Sequence, residues 1–499
     1  PDGKTLYVCN RFDNCVAAID LEKRKEIFRV CVLREPVAAA LTADGKFLFV
    51  ANHIHDGPSD GDVVAASVSV IDLAAQKVAK EIPLPNGSTI LRDIKISPDG
   101  KIAAVTHILA RFHLPTTQVE RGWMNNNALT LINVAKQERL NTVLLDNIDS
   151  GAGNPWSAAW TADGKKLVVT HAGTHEISVI DAPALLDKLA KVPAKAKLGQ
   201  PYDYNSATRS TADVPNDLAF LVGVRERIKI SEKGPRPLVL IGNKVFTGNY
   251  FSDSLSVIDL AASTPTPKNI PLGPKPQNSV VRQGELNFND ASLCFQGWQS
   301  CASCHSSDAR VDGLNWDLLN DGIGNPKNVK SLLFAHKTPP AMWLGVRENA
   351  EAGVRAGIRN SLFVVLPEEY AVALDEYLKS LQPVSSPHLV NGKFSKAAAR
   401  GKKLFYSESV GCTECHKPPL YSDLKPHDVG TCGKFDKVTD KFVTPPLVEV
   451  WRSAPYLHDG SAGTVREVPT ILNHGDQHGK ISSLTPKQVD DLVEFVLSL

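Results

Sequence analysis

One short pattern recurs along the first half of the chain. It consists of an Asp-Gly-Lys turn, an apolar run, a polar turn, and a second apolar run ending near Ile-Asp. Copies start at Asp2-Gly3-Lys4, Asp44-Gly45-Lys46, Asp99-Gly100-Lys101 and Asp163-Gly164-Lys165, and a fifth uses Gly242-Asn243-Lys244. Asp-Gly between short apolar runs predicts a hairpin, because the turn needs a positive φ that glycine adopts without steric cost. The expected strand pairs are 6–10 with 15–20, 47–52 with 68–72, 102–107 with 129–133, 167–171 with 177–181, and 245–249 with 255–259. A unit this small cannot bury its own faces, so the units must pack on one another. Repetition at this length predicts a β-propeller.

Spacing between copies grows from 42 to 79 residues, and the extra length falls in loops at 53–64, 107–127 and 182–216. Long loops on a rigid ring often line a binding face. His53, His55, His107, His113, His171 and His175 fall at strand ends or in such loops. Two readings of them stand, a metal or substrate site on that face and ordinary loop histidines. The first copy lacks its opening strand. The repeat resembles the YVTN family, which implies a propeller of about seven blades.

A chain of 499 residues is too long for one ordinary core, so two or three domains are expected. The net charge of +1 gives nucleic-acid binding no electrostatic support. No apolar run reaches the ~18–20 residues of a membrane span. Pro1-Asp2-Gly3-Lys4 carries neither an initiator Met nor a signal-like segment, so the chain is read as processed or incompletely covered.

After a Pro-rich stretch at 263–276, a second unit occurs twice. The first copy runs Arg282-Gln283-Gly284-Glu285, then Cys301-Ala302-Ser303-Cys304-His305, then a helix at about 368–381. The second runs Arg400-Gly401-Lys402, then Cys412-Thr413-Glu414-Cys415-His416, then a helix at about 486–499. Thr485, Pro486 and Gln488 form a capping-box start for that last helix, and Val489, Leu492, Val493 and Val496 share one face. Cys-x-x-Cys-His suits covalent haem. Two thiols add to the two vinyl groups, and the adjacent imidazole reaches the iron. Two haem c groups are expected, on Cys301, Cys304 and His305 and on Cys412, Cys415 and His416. The predicted architecture is a multidomain chain with an all-β propeller at 1–278. Two mainly α cytochrome c lobes follow, at 279–390 and 391–499. Such haem is attached outside the cytoplasm, so a periplasmic location is expected. Nine cysteines less these four leave Cys9, Cys15, Cys31, Cys294 and Cys432, with Cys9–Cys15 a candidate disulfide.

The second half resembles the bacterial dihaem cytochrome c peroxidase superfamily, which includes the maturation enzyme of methylamine dehydrogenase. The resemblance rests on Ser453-Ala454-Pro455-Tyr456-Leu457-His458-Asp459-Gly460 followed by Thr464-Val465-Arg466-Glu467-Val468, and on Met342-Trp343-Leu344-Gly345-Val346-Arg347 followed by Glu351. It implies a loop between the haems carrying Tyr456, His458 and Trp343, and a calcium ion on the carbonyls of Ser453 and Pro455. It implies Glu351 as acid/base above the first haem, because peroxide cleavage needs a group that takes and returns a proton. Any of Trp316, Trp343 and Trp451 could relay electrons between the haems. The family's Gln and Asp in the Trp loop are here Ala341 and Leu344, so substrate or proton handling differs.

The family's usual Met ligand to the second haem falls at Leu472, and the only methionines are Met124 and Met342. His474 and His478 are the candidate replacements, with His478 preferred. For the first haem the resting ligand would fall near Asp321, which cannot serve. His336 is the nearest alternative, and an open iron is expected. The implied activity is a peroxidase-class dihaem oxidoreductase (EC 1.11-like). It would take electrons from a small cytochrome or cupredoxin and use peroxide. The alternatives are a dihaem oxidase acting on a protein or organic substrate docked on the propeller, and an electron-transfer subunit of a larger complex.

Overall fold

The computed structural model describes residues 3–114, 124–196, 208–274, 277–306, 308–317 and 324–499. Five antiparallel meander sheets come first. The first holds β1 (Thr5–Asn10), β2 (Cys15–Asp20) and β3 (Lys25–Cys31). The second holds β4 (Pro36–Leu41), β5 (Phe47–Asn52), β6 (Ser67–Asp72) and β7 (Lys77–Pro83). The third holds β8 (Ser88–Ile96), β9 (Ile102–Ala110), β10 (Asn125–Asn133) and β11 (Glu138–Leu144). In the fourth, β12 (Pro155–Trp160), β13 (Lys166–His171) and β14 (Glu176–Asp181) precede helix α1 (Ala182–Lys191) and the closing strand β15 (Arg225–Lys229). The fifth holds β16 (Pro235–Ile241), β17 (Lys244–Asn249), β18 (Ser254–Asp259) and β19 (Lys268–Pro271).

The turn chemistry repeats with the sequence. Gly45, Gly100 and Gly164 take φ of +70, +73 and +70°. In each turn the Asp carboxylate accepts from the hydroxyl two residues before it and the amide two residues after it. For Asp99 these are Ser97 Oγ at 2.6 Å and Lys101 N at 3.1 Å. Strand β8 packs on β4 and on β12, and β12 packs on β16. The core lies between consecutive sheets, as where Val68, Val70 and Ile82 meet Leu91, Ile94 and Val105.

The nine cysteines are unbridged in the structure. The candidate pair Cys9–Cys15 is not formed, because the register sets Cys9 against Val16. Cys15 instead stands opposite Cys31.

Helices α2 (Val280–Asn289), α3 (Ala350–Asn360), α4 (Glu368–Ser380), α5 (Lys396–Phe405) and α6 (Pro486–Leu497) follow. Helix α2 packs on α4 and α5 on α6. Both crossings turn on a glycine at a matching place in the repeated unit. A Cβ at Gly284 would strike the Ala373 carbonyl, and one at Gly401 the Asp491 carbonyl. Helix α6 starts with the Thr485/Gln488 capping box.

The helical half rests on one face of the sheets, where their histidine-bearing loops lie. Thr89 Oγ1 donates to the Asp312 carbonyl at 2.7 Å, Asn125 Nδ2 to Gln299 Oε1 at 2.8 Å, and Asn154 Nδ2 to Ser300 Oγ at 2.8 Å. His175 Nε2 meets Asp290 Oδ1 at 3.0 Å.

Candidate functional site

Each Cys-x-x-Cys-His motif sits in a short helical turn at the wall of a cavity. The first cavity holds about 290 Å³ and is lined by Cys301, Cys304 and His305, with Trp316, Met124 and Met342 among the others. The second holds about 430 Å³ and is lined by Cys412, Cys415, His416 and His478. Burial pushes His305 down to about 4, and does the same to His478, helped there by His416. Neutral imidazoles are the form that binds metal.

The second cavity is closed on both sides. The His416 and His478 rings lie 6.3 Å apart, centroid to centroid, and 21° from parallel. Two imidazoles with nitrogens about 2 Å from one shared metal would have centroids roughly 6 Å apart. His416 Nδ1 bonds the Tyr421 carbonyl at 2.8 Å, which turns its other nitrogen into the cavity. His474 is exposed in the turn His474–Asp476 and does not line the cavity.

The first cavity is different. Among its described lining residues there is no second imidazole facing His305. His336 is held outside it by Asp375, at 2.9 Å. The expected resting position, Asp321, lies outside the described residues. Glu351 is not brought to the site either. It lies on the half-exposed side of α3, 3.6 Å from Lys379 Nζ, while Ala350, Gly353, Val354 and Gly357 turn toward the cavity. The acid/base expectation for Glu351 therefore does not fit this geometry. No carboxylate is found among the described lining residues, whose charged groups are Lys327, Lys330 and Arg347. Sequence reasoning named Arg347 only as the end of a motif and passed over Lys327 and Lys330. A scattered lysine or arginine carries no local signal of where it points.

One wall is shared. Asn328, Val329, Lys330, Ser331, Leu333, Trp343 and Pro446 line both cavities. Trp343 Nε1 donates to the Asn328 carbonyl at 2.7 Å, and Lys330 Nζ stands 4.9 Å from the indole centroid. Burial lowers Lys330 to about 8. Trp316 lines the first cavity alone. Trp451 lines neither and packs edge-on against Phe12 at 5.3 Å.

The 453–460 loop borders the second cavity with Ser453, Pro455, Tyr456 and His458. Burial pushes the Tyr456 hydroxyl up to about 12. His458 stacks on Phe442 and reaches Asp436 at 2.6 Å, which Lys327 also meets at 2.8 Å. Burial pushes the Asp436 carboxyl upward, but those two partners outweigh it and hold it well below the usual range. The Arg34 guanidinium, from the β3–β4 turn, donates to the carbonyls of Ala454 and Arg452, the latter at 2.7 Å. A positive group thus already bears on the loop to which the calcium expectation belongs.

The loop histidines of the sheets have structural partners. His53 Nδ1 bonds the Leu91 carbonyl at 2.8 Å, His107 Nε2 meets Thr130 Oγ1 at 2.8 Å, and His171 Nε2 meets Ser178 Oγ at 2.7 Å. His55 bonds the Ala65 and Pro58 carbonyls, and His113 stands edge-on to Phe112. None belongs to a metal-competent cluster among the described residues; the one such group is Cys415, Asp423 and His427.

No family model matches the chain. It is 30% identical to hydrazine synthase subunit gamma of Kuenenia stuttgartiensis over 276 residues, covering 45% of this chain and 78% of that one. It is 25% identical to the methylamine utilization protein MauG of Methylorubrum extorquens, covering 48% and 81%. It is 23% identical to the cytochrome-c peroxidase IdrP2 of a Pseudomonas species, covering 49% and 85%. No helix among the described residues is long and apolar enough to cross a membrane. With its paired Cys-x-x-Cys-His cavities and these relatives, the chain belongs to the dihaem cytochrome c peroxidase-like superfamily of oxidoreductases.

Proposed function

We propose that the chain is an extracytoplasmic oxidoreductase with two haem c groups, in which the first haem reacts and the second passes electrons. The first is carried by Cys301, Cys304 and His305. The second would be held by Cys412, Cys415 and His416 together with His478. The observation that carries this reading is the contrast between the cavities. Two near-parallel imidazoles 6.3 Å apart span the second, while His305 faces no second imidazole among the described lining residues of the first. A haem closed on both sides transfers electrons, whereas one open side permits chemistry with a small oxidant such as peroxide.

The chain's own residues divide the work. His305 and His416 hold neutral ring nitrogens toward the two sites. Trp343, in the shared wall, is the electron path between them. Lys330 and Arg347 set a positive field in the first cavity, where negative charge develops on a cleaved oxidant. The five sheets belong to a β-propeller at 1–278, and its face seats the two lobes, 279–390 and 391–499. An electron-donor protein docks to supply the second site. A calcium ion on the Ser453 and Pro455 carbonyls belongs to the same reading. Where such an ion binds, Arg34 flanks it.

The ligand assignment is tested by electron paramagnetic resonance of the haem-loaded protein. His478→Ala converts the low-spin signal of the second haem to high spin, and His474→Ala leaves it unchanged. A low-spin signal that survives His478→Ala overturns the assignment.

A further inference from the structure

Asp312 is fully buried, and among the described residues no cation pairs with it. Its Oδ2 accepts the Trp316 indole N–H at 2.8 Å, and its Oδ1 accepts the Leu314 amide at 2.9 Å. Trp316 is itself 4% exposed, and it packs beside Cys304 in the wall of the first cavity. Burying a carboxylate without a counter-charge is costly, so such a group invites a reason.

We propose that Trp316 and Asp312 form a proton-coupled redox pair that stores one oxidising equivalent beside the first haem. This rests on the reading that an oxidant, here a peroxide, reacts at the first site. One electron leaves the indole toward the oxidised first site, and the Nε1 proton passes along the existing hydrogen bond to Asp312 Oδ2. The products are a neutral indolyl radical and a neutral carboxylic acid.

Charge explains why the pair favours this step. With Asp312 ionised the pair carries −1 before the step and none after it, so oxidation of that form removes a buried charge. Burial already raises the Asp312 carboxyl to about 7, which makes it a ready proton acceptor. Trp343 faces the opposite situation. The Lys330 ammonium stands 4.9 Å from its ring, and a positive radical there would be repelled. The stored equivalent therefore settles on Trp316, off the shared wall, while Trp343 serves only for passage.

The test mixes oxidised, haem-loaded protein with one equivalent of hydrogen peroxide, followed by rapid freezing and paramagnetic resonance, with nitrogen-15 indole labelling. The expected result is a tryptophanyl radical that is lost in Trp316→Phe, kept in Trp343→Phe, and at least fivefold weaker in Asp312→Asn. A radical of the same intensity in Trp316→Phe, or one indifferent to Asp312→Asn, overturns the pair. Haem content and optical spectra of each variant check that it has folded. If peroxide leaves the first haem's spectrum unchanged, the proposed function fails, and photo-oxidation by a ruthenium polypyridyl complex tests the pair by itself. A neutral radical in the parent and a cationic one in Asp312→Asn uphold it. Identical transients in the two overturn it.

Discussion

At the residue scale, the contrast between His416 and Glu351 shows what local sequence can specify. Cys-x-x-Cys-His was legible because its chemistry needs neighbouring residues, so spacing alone assigns each role. The proposed sixth ligand, His478, lies well downstream of His416, and only the fold brings the two rings to 6.3 Å. Residue type narrowed it to two histidines, and geometry separates the cavity-facing His478 from the exposed His474. Glu351 was read from resemblance to a family motif, and helix phase turns it outward. A signal was present, since Ala350, Gly353, Val354 and Gly357 recur at helical spacing and form the narrow face that approaches the cavity. Glu351→Gln is therefore predicted to leave peroxide turnover within about twofold of the parent, as expected for a half-exposed ion pair of small energetic weight. A loss of a hundredfold or more would return Glu351 to the chemistry.

At the scale of elements, the strand pairs that follow the repeated turns were legible from those turns and their apolar runs: the first and second strands of the first sheet, and the second and third of the other four. The flanking strands were not. Strands β4, β8, β12 and β16 carry no repeated turn signal before them, and β15 is displaced by α1 and the segment after it. The helical crossings show a subtler rule. Gly284 and Gly401 occupy matching places because α2 meets α4, and α5 meets α6, with backbone carbonyls where a Cβ would stand. Alanine at either position forces the helices apart and is predicted to cost about 1–3 kcal/mol or more. Thermal unfolding of Gly284→Ala and Gly401→Ala checks this, with Gly61→Ala as control, since a Cβ there meets nothing within 4 Å. Equal stability of all three variants would contradict the close-packing account.

At the scale of the whole molecule, the sheets act as a seat for the helical half, and of the loop histidines His175 serves that junction. His175 and Lys233 face Asp290 across it, at 3.0 and 3.3 Å. Burial raises the Asp290 carboxyl, but His175, the Ser292 hydroxyl and Lys233 outweigh it and bring it to about 2, from an ordinary 3.8. A carboxyl lowered on folding contributes stability that is fully present above its unfolded value and is lost as pH falls through the folded one. Asp290 is thus predicted to stabilise the protein by about 2 kcal/mol above roughly pH 5, a contribution lost between about pH 4 and pH 2. Urea titrations of the parent and Asp290→Asn should converge across that acid range. A constant difference down to pH 2 would contradict the assignment.

The proposed functional asymmetry of the two cavities is also a whole-molecule property, because it depends on which distant segment reaches each site. Low-temperature electron paramagnetic resonance of the oxidised protein, with and without peroxide, tests it most directly. The account predicts a high-spin signal that peroxide alters, beside a low-spin bis-imidazole signal. Two low-spin signals, unmoved by peroxide before and after partial reduction, would contradict it and leave electron transfer alone.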